Sequence, residues 1–155
     1  TQTGARVKRV RKYIGEESFM LTYGDGVSDV DLNALLAQHR ASGKTVTLTG
    51  VQPGGRFGVL DLDEAGTTVS GFREKAKEDG GWINGGFMVM EPEVFGYLSA
   101  EEGCVLERTP LETLAGDGKL GIYKHHDFWQ CMDTQRDRGI LEDLWRTRCA
   151  PWKKW

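Results

Sequence analysis

Cysteine and proline are scarce in this sequence, three and four of them among 155 residues. Cys104, Cys131 and Cys149 stand far apart with no C-x-x-C pair, and His39, His125 and His126 complete no zinc spacing. That excludes a disulfide framework and a zinc finger, and an odd, scattered count fits a reducing cytosol. No apolar run approaches the roughly 18 residues of a membrane span, and no signal-peptide pattern opens the chain. The expectation is a soluble, cytoplasmic protein with no membrane partner. Positive charge is not in excess either: 20 Lys and Arg face 23 Asp and Glu, a net charge of −3. No global basic field draws the chain to nucleic acid. Its one basic run, Arg6, Lys8, Arg9, Arg11 and Lys12, reads as a solvated helix face, with phosphate attraction as the sharper alternative. Repeats, low-complexity tracts and linkers are absent.

What is present is the balance of a globular domain, 39% apolar and 28% charged. Glycine is the surplus: 21 residues, about twice the usual share. Glycine without proline points to tight turns and backbone-lined sites. The chain begins with Thr1 and not methionine, so a processed or truncated piece is expected.

Val7, Val10 and Ile14 recur at helical spacing and predict an amphipathic helix over residues 6–14. Phe19 to Tyr23 predicts a strand that stops at Gly24-Asp25-Gly26. Residues 29–39 follow as a helix, with Ser28 and Asp31 as its N-terminal signal and Gly43 as its stop. Thr45–Val51 alternates like a half-buried strand. Residues 57–63 and 68–72 flank Glu64-Ala65-Gly66 as a β-hairpin. Ile83–Met90 reads as one strand, 92–98 and 110–114 as helices, 120–123 as a strand, and 134–146 as a last helix. Strands alternating with helices, plus one hairpin, predict an α/β sheet with an added β-element. Ligands in such folds collect beyond the carboxyl ends of the strands. Asp25 lies at such an end, with Asn84 and Asp133 expected nearby.

Three segments carry the chemistry. Glycines on both sides of Asp25 let a backbone approach a bulky ligand while one carboxylate points at it. Mg²⁺ suits this, because it takes one or two protein carboxylates and completes its octahedron with water and phosphate oxygens. A plain β-turn in which Asp25 caps its own loop fits the same residues. Asp133 precedes the last helix. If Thr134 with Asp137 caps that helix, Asp133 is released to be a second ligand. Glu74-Lys75 offers a sugar-hydroxyl acceptor beside a phosphate cation, and Asn84-Gly85-Gly86 offers an amide and exposed glycine N–H groups. Each of these pairs is also ordinary surface or turn composition.

Together and in this order, these pieces resemble the glucose-1-phosphate cytidylyltransferases, within the sugar-phosphate nucleotidyltransferases. The resemblance runs through Thr3-Gly4-Ala5-Arg6, Thr22-Tyr23-Gly24-Asp25-Gly26, Gly55-Arg56-Phe57-Gly58 and Phe72-Arg73-Glu74-Lys75. It continues through Ile83-Asn84-Gly85-Gly86-Phe87, Phe128-Trp129-Gln130, Met132-Asp133-Thr134 and Ala150-Pro151-Trp152-Lys153. It implies a Rossmann-like three-layer nucleotidyltransferase fold over residues 1–155, incomplete at its N-terminus. It also implies transfer of a cytidylyl group from CTP to glucose 1-phosphate, giving CDP-glucose and pyrophosphate for the deoxysugars of lipopolysaccharide O-antigens. By the same resemblance Asp25 and Asp133 hold Mg²⁺, with Lys75 beside them in the catalytic set. Thr1, Arg6 and Gly24 contact the nucleotide, and Glu74, Lys75, Asn84 and Gly85 hold the sugar phosphate.

The chain departs from the family pattern at Ala5, where Gly is usual, and at Gly54, Ala76 and Cys131, where Pro is usual. It also lacks the G-G-x-G-T-R loop and lysine segment with which the family cradles the triphosphate and reads the base. This sequence is therefore expected to be the rear part of a larger domain, inactive by itself. A phosphosugar-binding remnant and a thymidylyl or uridylyl transferase are the alternatives. The full-length form is expected to be a homo-oligomer, with Trp152 and Trp155 as candidates to pack on a neighbouring subunit.

Overall fold

The computed structural model describes residues 1–52, 59–73 and 81–155. Helix α1 spans Thr3–Ile14, beginning three residues before the expected start at residue 6. The early start comes from small residues. Gly4 and Ala5 are buried, and the Ala5 N–H donates to the Cys104 carbonyl at 3.2 Å. A Cβ built at Gly4 would lie 2.7 Å from Cys104 Sγ, so this turn of helix touches its neighbour only because it carries no side chain there.

The main sheet is mixed. Strands β1 (Phe19–Leu21), β7 (Met88–Met90), β3 (Val46–Val51) and β8 (Leu120–Lys124) lie side by side in that order. Here β1 pairs β7 and β7 pairs β3, both antiparallel, while β3 pairs β8 in parallel. The hairpin of β4 (Val59–Leu62) and β5 (Val69–Arg73) joins through β6 (Ile83–Asn84), which runs antiparallel to β3. A separate two-stranded ribbon pairs β2 (Gly26–Ser28) with β9 (Trp129–Cys131). Segments of only three residues carry no readable periodicity, and neither ribbon strand is predicted from the sequence.

All six residues of β3 are buried, where alternation predicts half-burial. Val46 and Leu48 enter the main core with Val7 of α1 and with Leu111 and Leu114 of α3 (Thr109–Gly116). Thr47 points to the other face, where its hydroxyl meets Nδ1 of buried His39 on α2 (Leu32–Ser42) at 2.8 Å. The Thr49 hydroxyl donates to the Phe87 carbonyl at 2.8 Å. Both threonines are tolerated inside because their hydroxyls are bonded. Helices thus cover both faces of the sheet, the three-layer α/β arrangement that the family resemblance implies.

Three local expectations change. Ser28 does not cap α2: Asp31 does, accepting from the Ala34 N–H at 3.0 Å, because Ser28 belongs to β2. Gly43 ends that helix in the left-handed region, as expected. The predicted strand 83–90 is cut in two, with Gly86 at φ 77° and Phe87 at φ 44° between β6 and β7. Residues 92–96 form a 3₁₀ turn and not an α-helix. Helix α4 (Gln135–Arg146) follows Thr134, and Trp152 folds back onto Phe128 of the same chain with ring centroids 5.5 Å apart. Trp155 is left 82% exposed. No helix among the described residues is long and apolar enough to cross a membrane.

Candidate active site

The chain leaves β1 at Leu21, passes through Thr22-Tyr23-Gly24-Asp25 and enters the ribbon. The last ribbon pair is Gly26 opposite Cys131, and beyond it the Met132 N–H donates to the Asp25 carbonyl at 2.8 Å. Asp25 and Asp133 therefore flank the open end of one antiparallel ladder, though they come from opposite ends of the chain. Both are exposed.

Asp133 is spared from capping α4. Thr134 Oγ1 accepts from the Asp137 N–H at 3.2 Å, and the Asp137 carboxylate accepts from the Thr134 N–H at 2.9 Å, a reciprocal capping box. The Asp133 N–H also donates to Asp137, at 3.2 Å. The Thr134 hydroxyl, which donates to Asp137 Oδ2 at 2.8 Å, and then the two backbone N–H groups hold the Asp137 carboxyl below the usual range. The Cys131 thiol, by contrast, is pushed up to about 11, first by burial and next by the charge of Asp133 and a hydrogen bond to it.

Asn84 and Gly85 approach this end of the ribbon through Trp129, whose Nε1–H donates to the Gly85 carbonyl at 2.8 Å. The Asn84 amide is held on both sides: Nδ2 donates to the Tyr23 hydroxyl at 3.1 Å and Oδ1 accepts from the Gly86 N–H at 3.0 Å. The glycine N–H groups are not exposed donors, contrary to expectation. That of Gly85 goes to the Thr49 carbonyl at 2.8 Å and that of Gly86 to Asn84, and both glycines are buried. Gly85 thus serves as a close-packing point, with a Cβ there falling 3.0 Å from Val51 Cγ1 and 3.1 Å from the Thr49 carbonyl oxygen. At Gly24, in contrast, a Cβ would meet nothing within 4 Å, so the loop beside Asp25 is open.

The other candidates are placed differently. Thr1 and Arg6 sit exposed at the start of α1, where Arg6 Nε donates to the Thr1 carbonyl at 2.9 Å. Glu74 and Lys75 lie outside the described residues, as does Gly55-Arg56-Phe57-Gly58. Trp129 and Glu107 are missed by sequence reasoning. An acidic residue among polar neighbours carries no signal in one dimension, and Trp129 is quoted only as part of a motif.

Ser28, His125 and Asp29 also meet, but not as a proton relay. Ser28 Oγ and Asp29 Oδ1 approach the same ring nitrogen, His125 Nε2, at 3.2 and 3.1 Å, and the Phe128 carbonyl lies 2.9 Å from it as well. Asp29 Oδ1 is buried without a well-oriented hydrogen bond despite that approach. A relay needs opposite nitrogens of the ring. The cluster pins residues 125–128 to the ribbon.

Among the described residues no three acidic, histidine or cysteine side chains gather as a metal cage. Two carboxylates at an open, glycine-lined end are the donor set that Mg²⁺ uses when phosphates complete its shell.

The model of the nucleotidyl transferase family matches residues 2–147. The chain belongs to that family. Within the nucleotidyl transferases, it is 48% identical to glucose-1-phosphate cytidylyltransferase of Salmonella typhi over the whole of this chain and 60% of that protein. It is 31% identical to mannose-1-phosphate guanylyltransferase of Mycobacterium tuberculosis over 87% of this chain and 39% of that one. The chain thus spans about three-fifths of the length of its cytidylyltransferase relatives. The fold matches the crystal structure of HddC from Yersinia pseudotuberculosis with TM-score 0.74 at 19% identity, covering 93% of this chain and 62% of that one. With the family match over residues 2–147, that likeness makes the fold a nucleotidyltransferase fold.

Proposed function

We propose that the protein carrying this chain transfers a cytidylyl group from CTP to glucose 1-phosphate. A phosphate oxygen of the sugar phosphate bonds to the α-phosphorus of CTP. The bond from that phosphorus to the bridging oxygen of pyrophosphate breaks, and CDP-glucose forms. One observation supports the reading: the ladder that ends in the 2.8 Å bond from Met132 to Asp25 brings Asp25 and Asp133 to one end of the ribbon, next to the open Gly24. Likeness to cytidylyltransferases over the full chain supports the choice of base and sugar.

In this reading Asp25 and Asp133 hold Mg²⁺, which when bound neutralises charge developing on the α-phosphate. The chain's own work is positioning, since phosphoryl-type transfer asks for little covalent chemistry from the protein. Asn84 offers an amide N–H to the sugar phosphate. Glu74 and Lys75 supply an acceptor and a cation for the same substrate, and Arg6, Thr1 and Gly24 face the nucleotide. Gly85 shapes the loop and donates to no ligand. CDP-glucose made this way would feed deoxysugar synthesis.

The test is product formation by the full-length protein with Mg²⁺, glucose 1-phosphate and each of CTP, dTTP, UTP and GTP in turn, followed by chromatography. CDP-glucose should form fastest. Preference for dTTP or UTP would overturn the base assignment, and no sugar nucleotide from any of the four would overturn the activity. The chain's span of 60% of its relatives favours a second reading for the 155 residues alone, a phosphosugar-binding module. Calorimetry on this piece should then show binding of glucose 1-phosphate without CTP binding or turnover.

A further inference from the structure

Glu107 lies between the 3₁₀ turn and α3, away from the carboxylate pair, yet both of its oxygens are committed. Oε1 accepts from the Tyr23 hydroxyl at 2.6 Å and Oε2 from the Thr3 hydroxyl at 2.7 Å. The Thr3 oxygen in turn accepts from the Leu106 N–H at 3.0 Å. Tyr23 completes the chain by accepting from Asn84 Nδ2, and Asn84 Oδ1 accepts from Gly86. Five groups are thus joined in one line, from the first turn of α1 to the glycine loop.

The direction of that line follows from donor arithmetic. A carboxylate only accepts, and a tyrosine has a single O–H to give. With that proton spent on Glu107, the Tyr23 oxygen can only accept, so it must face the nitrogen of the Asn84 amide and not its oxygen. Short hydrogen bonds to a carboxylate are the strong ones, which makes Glu107 the anchor. An Asn amide has two N–H donors, and one is used on Tyr23.

We propose that Glu107 is a positioning residue which, through Tyr23, locks the Asn84 amide so that it presents an N–H donor, and not a carbonyl acceptor, to the anionic sugar 1-phosphate. This rests on the proposed function above. Glu107 touches no substrate, and its effect is the orientation of a group that does. A glutamine in its place can donate as well as accept, which frees the Tyr23 proton to turn against the Asn84 NH2 and leaves only the Gly86 N–H to orient the amide.

The experiment compares Glu107→Gln, Tyr23→Phe, Asn84→Ala and the double variant Tyr23→Phe/Asn84→Ala in the full-length protein. KM for glucose 1-phosphate should rise about tenfold in each single variant, the scale of one lost hydrogen bond to a charged group, with KM for CTP unchanged. Tyr23→Phe should add nothing once Asn84 is gone. Equal rises in both KM values, or additive effects in the double variant, would overturn the proposal. Asn84 side-chain amide resonances, assigned by their loss in Asn84→Ala, read the lock without turnover. Both Glu107→Gln and Tyr23→Phe should shift them, and unshifted signals would overturn it too. Wild-type protein that makes no sugar nucleotide would sink the proposed function while these resonances still report on the lock.

Discussion

The Met132 N–H donates to the Asp25 carbonyl at 2.8 Å, one step past the last pair of the β2–β9 ribbon. That bond brings together two acidic residues that sequence alone places at unrelated junctions. It also gives each a separate support: Asp25 hangs from the end of β1, and Asp133 is released by the capping box of α4. Four expected outcomes follow from this arrangement and the packing around it.

Asp25→Asn and Asp133→Asn, in the full-length protein, should each lower kcat by at least about 10²-fold, the scale of removing one charge-stabilising group from a reaction site. Steady-state kinetics at saturating Mg²⁺ checks this. A nearly neutral result for either would show that the pair does not share an ion.

Cys131 is a built-in reporter on Asp133. Its thiol is held up at about 11, by burial and then by the neighbouring carboxylate. Exposed Cys149 should therefore alkylate first with iodoacetamide at mildly alkaline pH, and Cys131 slowly. Removing the negative charge lowers the thiol's value, so Asp133→Asn should speed Cys131 modification. Mg²⁺ should act in the same direction. Peptide mass mapping over time reads both effects, and no acceleration by Mg²⁺ would count against metal at Asp133.

Gly85→Ala should cost about 1–3 kcal/mol of stability, the range for forcing an extra methyl into packed surroundings. The new Cβ meets Val51 Cγ1 at 3.0 Å and the Thr49 carbonyl at 3.1 Å, and the second is backbone that cannot swing aside. Gly24→Ala, with nothing within 4 Å, should leave the denaturation midpoint unchanged. Urea titrations of the two variants make the comparison.

The capping box should give α4 a pH dependence of known sign. The Asp137 carboxyl lies below its ordinary range in the folded protein, held there first by the Thr134 side chain. Its contribution is present above the unfolded value of about 4 and is lost as pH falls through the lower folded value. The melting temperature of Asp137→Asn should lie below that of the wild type near neutral pH, and the gap should close in acid. A gap of constant size would mean the carboxylate's charge is irrelevant to the cap.

Much of this was legible in one dimension. Leu32, Leu35 and Leu36 before Gly43, and Thr134 with Asp137 ahead of an apolar stripe, specify helices and their ends through local spacing and capping chemistry, which need no distant partner. The hairpin around Glu64-Ala65-Gly66 is legible for the same reason. The glycine-flanked Asp25 and the Trp-Gln-x-Met-Asp-Thr segment marked the candidate site by residue type. Other features depend on who the neighbours are. The burial of both faces of β3 reflects helices that arrive from elsewhere in the chain. The break between β6 and β7 follows from where the Asn84-Gly85-Gly86 loop must pack, against Thr49 and Val51. The spending of both glycine N–H groups inside the protein, and the line from Glu107 to Asn84, are products of side-chain geometry across strands.

Residue order alone specifies the chemical groups of the site and the local pieces that carry them, because caps, turns and periodicity act over a few residues. The tertiary structure alone settles which distant segments meet at the end of the ribbon, which backbone amides are already spent, and that Glu107, Tyr23 and Asn84 are joined by hydrogen bonds. Those are questions of hydrogen-bond partnership between segments far apart in the chain, and partnership exists only once the sheet has brought them together.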